Sequence, residues 1–135
     1  MIEARSEWDN PEHTVILQTL SGNWTWDHYN AMVAAADEMM LSVDHLVDFI
    51  IDMRESGPLP MGIIHYVQRV FTKGPSNWGL VIFVEPTFLV RSFIKTFQTV
   101  YPRIGESARI TDTVAAARTL CQEAQAARAA EVSRP

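Results

Sequence analysis

The spacing of hydrophobic positions changes several times along the chain, and each change marks an element. Ile2, Ala4, Ser6 and Trp8 sit at period two, a strand signal, before the turn Asp9-Asn10-Pro11-Glu12. His13 to Leu20 is a second strand, rich in β-branched residues, and the pair predicts a hairpin closed by a short Asn-Pro loop. Ser21-Gly22-Asn23 breaks it. Thr25 is a candidate N-cap, with Asp27 in the first turn where the helix dipole favours an anion. Trp26, Tyr29, Met32, Val33, Ala36 and Met40 then recur at three-to-four spacing. They predict an amphipathic helix over 26–41, with His28, Asn30, Asp37 and Glu38 on its outer face.

Leu46 to Asp52 reads as a strand and residues 53–59 as a loop. Pro60 suits the first position of a helix, where its missing N–H costs nothing, and Ile63, Ile64, Val67, Val70 and Phe71 continue an apolar stripe through Lys73. After the breaker Gly74-Pro75-Ser76-Asn77, Gly79 to Glu85 is a buried strand. Pro86 and Thr87 open a helix with Leu89, Val90, Phe93, Ile94, Phe97 and Tyr101 inward, ended by Pro102 and Gly105. Ser107–Thr111 is a short strand, and Asp112 or Thr113 caps a last helix with Val114, Ala117, Leu120, Cys121 and Ala124 inward.

The order predicts an α/β fold: an N-terminal β-hairpin, then βα repeats, in a mixed but mostly parallel sheet of about five strands in near-sequential order with four helices. The polar positions Thr14, Gln18, Asp48 and Asp52 interrupt what would otherwise be continuous apolar strands. This predicts helices mainly on one face, the other less covered. A sheet in sequential order lacks the strand-order reversal that makes the ligand crevice of doubly wound enzymes. Residues 1–125 read as one domain and 126–135 as an Ala/Arg-rich tail that frays.

Composition narrows the class. The chain has 135 residues, 47% hydrophobic and 20% charged, enough apolar side chain for a packed core. Its single cysteine, Cys121, excludes an internal disulfide and a multi-cysteine zinc site. The N-terminus shows no signal-peptide pattern and no apolar run reaches membrane-span length, so the expectation is a cytoplasmic protein. The net charge of −5 is uneven: residues 1–55 hold eleven Asp and Glu against two Arg, and residues 56–135 hold five acids against nine bases. A negative total argues against nucleic acid. The gradient suggests oriented docking or self-association, including a homodimer.

Candidate chemistry is sparse. His13, His28, His45 and His65 fall in four different elements without ligand spacing, so no metal is expected. Asp52, Glu55, Glu85 and Asp112 lie near carboxyl ends of strands, but a strand end and a helix cap account for Asp52 and Asp112. There is neither a nucleophile elbow nor a phosphate-binding glycine loop. Arg91, Lys95 and Arg103 read as a solvated helix face, and Trp26 and Tyr29 as core.

Taken in order, these segments resemble a STAS domain, the fold of bacterial anti-sigma-factor antagonists. The resemblance covers roughly residues 2–122 and rests on the hairpin start, the apolar strand ending in Asp52 and the loop into Pro60-Met61-Gly62-Ile63-Ile64. The Val81–Glu85 strand and the Asp112-Thr113…Ala116-Ala117-Arg118…Leu120 segment agree with it. The start Gly22-x-Trp24-Thr25-Trp26 is similar to that of small stand-alone STAS-like bacterial proteins. Antagonists of the family carry a phosphorylatable Ser or Thr, usually in Asp-Ser-x-Gly, where the helix after the second parallel strand begins. With the glycine aligned on Gly62, Leu59, Pro60 and Met61 stand there, and Pro60 cannot be phosphorylated, so that residue does not carry over. Ser56 is the nearest hydroxyl and the candidate phosphorylation site. The resemblance implies a non-enzymatic interaction module for bacterial signalling, without cofactor. Its protein partner or second copy would meet a surface of Trp24, Arg54, Glu55, Ser56, Leu59, Pro60 and Met61. The alternative the resemblance allows is a carrier or sensor of a small ligand, lipid or nucleotide, with a pocket lined by Met and aromatic residues between the helices and the less covered sheet face.

Overall fold

The computed structural model describes residues 2–62 and 74–132, except for the side chains of residues 103 and 104. Its strands are β1 (Glu3–Trp8), β2 (Val15–Ser21), β3 (Val47–Asp52), β4 (Trp78–Val84) and β5 (Ala108–Thr111). The helices among the described residues are α1 (Trp26–Leu41), α2 (Phe88–Val100), the short α3 (Pro102–Ser107) and α4 (Val114–Val132). The sheet order is β1-β2-β3-β4-β5, with β1 antiparallel to β2 and every later pair parallel. The helix expected over 60–73 lies, beyond Gly62, outside the described residues. No described helix is long and apolar enough to cross a membrane.

Local chemistry explains the boundaries. Asn10 Oδ1 accepts from the N–H groups of Thr14 and Val15, which closes the hairpin, and His13 stacks on Trp8 with ring centroids 4.4 Å apart. At α1, the Thr25 N–H donates to Nδ1 of His28, so this histidine serves the helix end. Thr87 Oγ1 accepts from Val90 N–H at the start of α2. At α4 the cap is Thr113, whose Oγ1 accepts from Ala116 N–H at 3.0 Å. Pro102 does more than stop α2: it starts α3, because a missing N–H is harmless at a first helical position.

The apolar side chains fill both sides of the sheet. Ile16, Phe49 and Val81 face α1, with Ala36 and Met40 above them. Ile50, Ile82 and Val84 face the opposite way, onto Ala117 and Cys121 of α4. Val90 and Ile94 of α2 join Met32 and Leu20 on the α1 side. Thus α1 and α2 share one face, and α4, the longest helix, covers the other. Burial pushes the Cys121 thiol up to about 12, which with 1% exposure makes it an inert packing group.

The polar strand positions do not mark an uncovered face, contrary to expectation. Gln18 and Asp48 are 5% and 0% exposed, and they lie on opposite faces. Each is buried because it has partners. Asp48 accepts from Leu80 N–H at 2.8 Å, from Gln125 Nε2 at 3.0 Å and from both terminal nitrogens of Arg128. Gly79 is a glycine because a Cβ there would collide with Asp48 and Arg128. The expected tail begins inside α4, which runs to Val132 with Arg128 bonded to Asp48; residues 133–135 lie outside the described residues.

Part of the charge gradient is spent inside the molecule. Arg118 grips Asp9 with two bonds of 2.8 and 2.9 Å, and Arg128 grips Asp48. Two arginines of the C-terminal helix thus lie against the acidic N-terminal half, which leaves fewer charges for the docking the gradient suggested.

Candidate functional site

After β3 the chain does not wander. Met53 N–H donates to Val84 O, Ser56 N–H to Met53 O, Gly22 N–H to Glu55 O and Gly57 N–H to Gly22 O, the last at 2.8 Å. Gly22 and Ser56 form a parallel bridge, so the loop is laced to the end of β2. Gly57 permits this approach: a Cβ would come within 2.5 Å of Asn23 Oδ1 and 2.7 Å of Gly22 O.

The loop is held against an aromatic group. Trp24 is 3% exposed, meets Trp26 edge-on at 5.6 Å and stacks on Tyr29 at 5.8 Å. Its Nε1 donates to Ser56 Oγ at 2.9 Å, and the Ser56 hydroxyl donates in turn to Gly57 O. Trp26 Nε1 donates to Met61 O. The expected partner surface is therefore brought together but divided in use. Trp24 is its buried floor and offers no contact face. Ser56 is half-buried with its hydroxyl engaged on both sides, so phosphate transfer there would first require its release from Trp24. Arg54 Nε and Nη2 each donate to Asp52 at 2.9 Å. Leu59 and Pro60 are half-buried, Glu55 is exposed, and Met61 stands out at 93% exposure.

Three of the strand-end carboxylates, Asp52, Glu55 and Glu85, gather around Arg54 and raise its guanidinium above the ordinary value, while Asp112 stands apart on Arg91. The Arg54 guanidinium bonded to Asp52 holds that carboxyl below the usual carboxylate range, which suits a fixed anion and not a proton donor. Glu85 is exposed, and Asp112 faces Arg91 across 3.9 Å. The histidines are dispersed: His45 Nε2 donates to His13 O, His28 serves α1, and His65 lies outside the described residues. No group of three His, Cys, Asp or Glu among the described residues could hold a metal ion. On α2, Lys95 is exposed and Arg91 donates to Pro86 O, while the Arg103 side chain lies outside the described part.

A concave feature lies on the α1–α2 side of the sheet. Its volume is about 580 Å³. Phe49, Ile51 and Phe83 form the floor, Met32 and Met40 one wall, and Ile94 and Phe97 the other. Trp24 and Leu59 border it, so the laced loop and the cavity share an edge; Gly74 borders it too, and residues 63–73 lie outside the described residues. Among the described residues, Gln18, Asn30, Asp37 and the hydroxyl-bearing Tyr29 line it, and burial pushes the Tyr29 phenol up to about 12. Asp37, expected on the solvated face of α1, is only half-exposed, and burial raises its carboxyl above the ordinary value. Met32, Met40 and the aromatics are visible in sequence as helix and strand stripes. A gap between two helices above them leaves no periodic signal; Gln18, a lone amide inside a β-branched strand, was the one clue.

Compared with protein-family models, with curated proteins and with solved structures, the chain matches none.

Proposed function

We propose that this chain is a non-enzymatic, STAS-like binding module whose cavity between α1 and α2 takes a small apolar molecule. The cavity carries the reading. At about 580 Å³ it falls inside the range of small-molecule sites, and its apolar floor and walls with a few polar groups are the usual make-up of one. The strand order and the strand-helix alternation are those expected of the resemblance. Asp52 is clamped by Arg54 and Asp112 faces Arg91, which counts against either of them as a free acid or base.

Native mass spectrometry of freshly purified protein tests this directly. The expected result is a bound mass, or a bare protein that takes up a long-chain alcohol with a change in tryptophan emission, since Trp24 and Trp78 line the cavity. A bare protein that takes up nothing has its cavity filled by its own side chains, and the reading falls.

A second reading, a protein-interaction module working through 53–61, is favoured by Met61, an almost fully exposed apolar side chain on a laced loop. Pro60 and Met61 stand where an antagonist would carry its phospho-acceptor, so such contact would not be phosphate-gated there. Met61→Asp is expected to leave the melting temperature unchanged and to abolish self-association or pull-down of a partner. Binding that survives the substitution would exclude this surface.

A further inference from the structure

β1 is one of the two edge strands of the sheet, and half of its backbone groups point away from it. Asp9 N–H donates to Val15 O at 2.8 Å and so extends the β1–β2 register by one residue. In an antiparallel ladder, residues that exchange bonds with the next strand alternate with residues that do not. Glu3, Arg5 and Glu7 therefore bond to β2, while the N–H and C=O groups of Ala4, Ser6 and Trp8 point outward. No described loop or helix bonds to these outward groups. The edge alternates in charge: Arg5 is exposed and lies 3.6 Å from both Glu3 and Glu7. α1 runs beside this edge. His28, Ala31, Ala35 and Glu38 recur at helical spacing on one flank, and the opposite flank, Asn30, Ala34 and Asp37, borders the cavity toward α2. Ser6 Oγ–H donates to Met32 O at 2.8 Å, which sets the middle of α1 level with Ser6.

We propose that a second copy of this chain docks on the β1 edge about a two-fold axis through Ser6, joining the two sheets into one and setting α1 beside α1. About that axis Ala4 exchanges backbone bonds with Trp8 of the second copy, and Ser6 with its Ser6. Arg5 then faces Glu7 of the second copy, and Glu7 its Arg5, in the pair type whose side chains stand closer. At the same level Ala31 meets Ala35 of the second copy and His28 meets its Glu38. Thr25 N–H donates to His28 Nδ1, so Nε2 carries the ring proton and donates to that carboxylate. The helices fit side by side because α1 sits inward of β1, over Ile16 and Phe49. An inward offset of about half the ~4.8 Å strand spacing per copy brings the axes to roughly 8–10 Å, and alanine suits the close end of that range. An axis through Arg5 would set Arg5 on Arg5 and Glu3 on Glu7, and is repelled. An axis through Ala4 would pair Arg5 with Glu3 but lie about 7 Å away along the strand, out of level with Ala31 and Ala35. None of these residues lines the cavity or belongs to 53–61, so the dimer is independent of both readings above.

Sedimentation of the full chain from micromolar to millimolar concentration tests this. Wild type is expected to be a dimer. Arg5→Glu sets like charges opposite each other twice and should weaken the dimer roughly tenfold or more. Adding Glu7→Arg to that variant should restore it, because the exchanged pairs are complementary again. Ala31 is exposed, so Ala31→Arg keeps the protomer folded and should wedge the two α1 helices apart. A wild type that stays monomeric overturns the inference, as does a dimer that survives both Arg5→Glu and Ala31→Arg. Failure of Glu7→Arg to restore the dimer overturns the axis through Ser6, and rescue by Glu3→Arg in its place would put the axis on Ala4. Met61→Asp should leave this dimer intact; its loss there overturns the β1 assignment in favour of 53–61.

Discussion

Arg128→Ala is expected to destabilise the fold by about 3 kcal/mol, the low end of the cost of stripping a partner from a buried ion pair. Asp48 has no solvent exposure, and the guanidinium is its only cationic partner among the described residues. The loss stays at the low end because Leu80 N–H and Gln125 Nε2 remain bonded to the carboxylate. Urea denaturation of wild type and variant measures it. A loss under about 1 kcal/mol would show that the pair does not hold α4 to the sheet. Removing both charges with Asp48→Asn and Arg128→Leu should recover part of the loss, because the amide oxygen still accepts from Leu80 N–H and no buried charge is left unpaired. The two single losses should therefore not add.

Trp24→Ala is expected to cost about 3–5 kcal/mol, as deletion of a large buried aromatic does, and to release the loop over 53–61. The ring is 3% exposed and packs on Trp26 and Tyr29, and its Nε1 holds Ser56. Trp24→Phe keeps most of the packing and loses the bond to Ser56, so a cost of about 1 kcal/mol is expected. The two are told apart by amide exchange at Gly57, whose N–H donates to Gly22 O. Exchange there should speed up strongly in the alanine variant and slightly in the phenylalanine one. Unchanged protection in Trp24→Ala would mean that the backbone bridges alone lace the loop.

Much of the fold is legible in the sequence because it is local. The stripe from Trp26 to Met40, the apolar runs ending at Asp52 and Val84, and the turn at Asp9-Asn10-Pro11 each report their element through neighbours a few residues away. The sequential strand order follows from short connections and their handedness. The continuation of α4 was not legible. An Ala/Arg-rich tail has no apolar stripe to predict its docking, and what secures it is Arg128 reaching a carboxylate 80 positions earlier. Pro102 failed for a different reason: the same residue can end one helix or begin the next, and only the packing of the chain after it decides.

The partner surface was legible in its address and not in its roles. Residues 53–61 do gather beside Trp24, but whether Trp24 faces outward or inward depends on Ser56 and Tyr29 meeting it from distant parts of the chain. By itself the sequence determined the five strands, their order, and the helices α1, α2 and α4. Tertiary structure alone decided that Gln18 and Asp48 are satisfied on opposite faces, that the acidic and basic halves pair through α4, and that a cavity lies between α1 and α2. The physical reason is range: periodicity and capping act within a few residues, whereas burial, ion pairing and empty space depend on which segments meet.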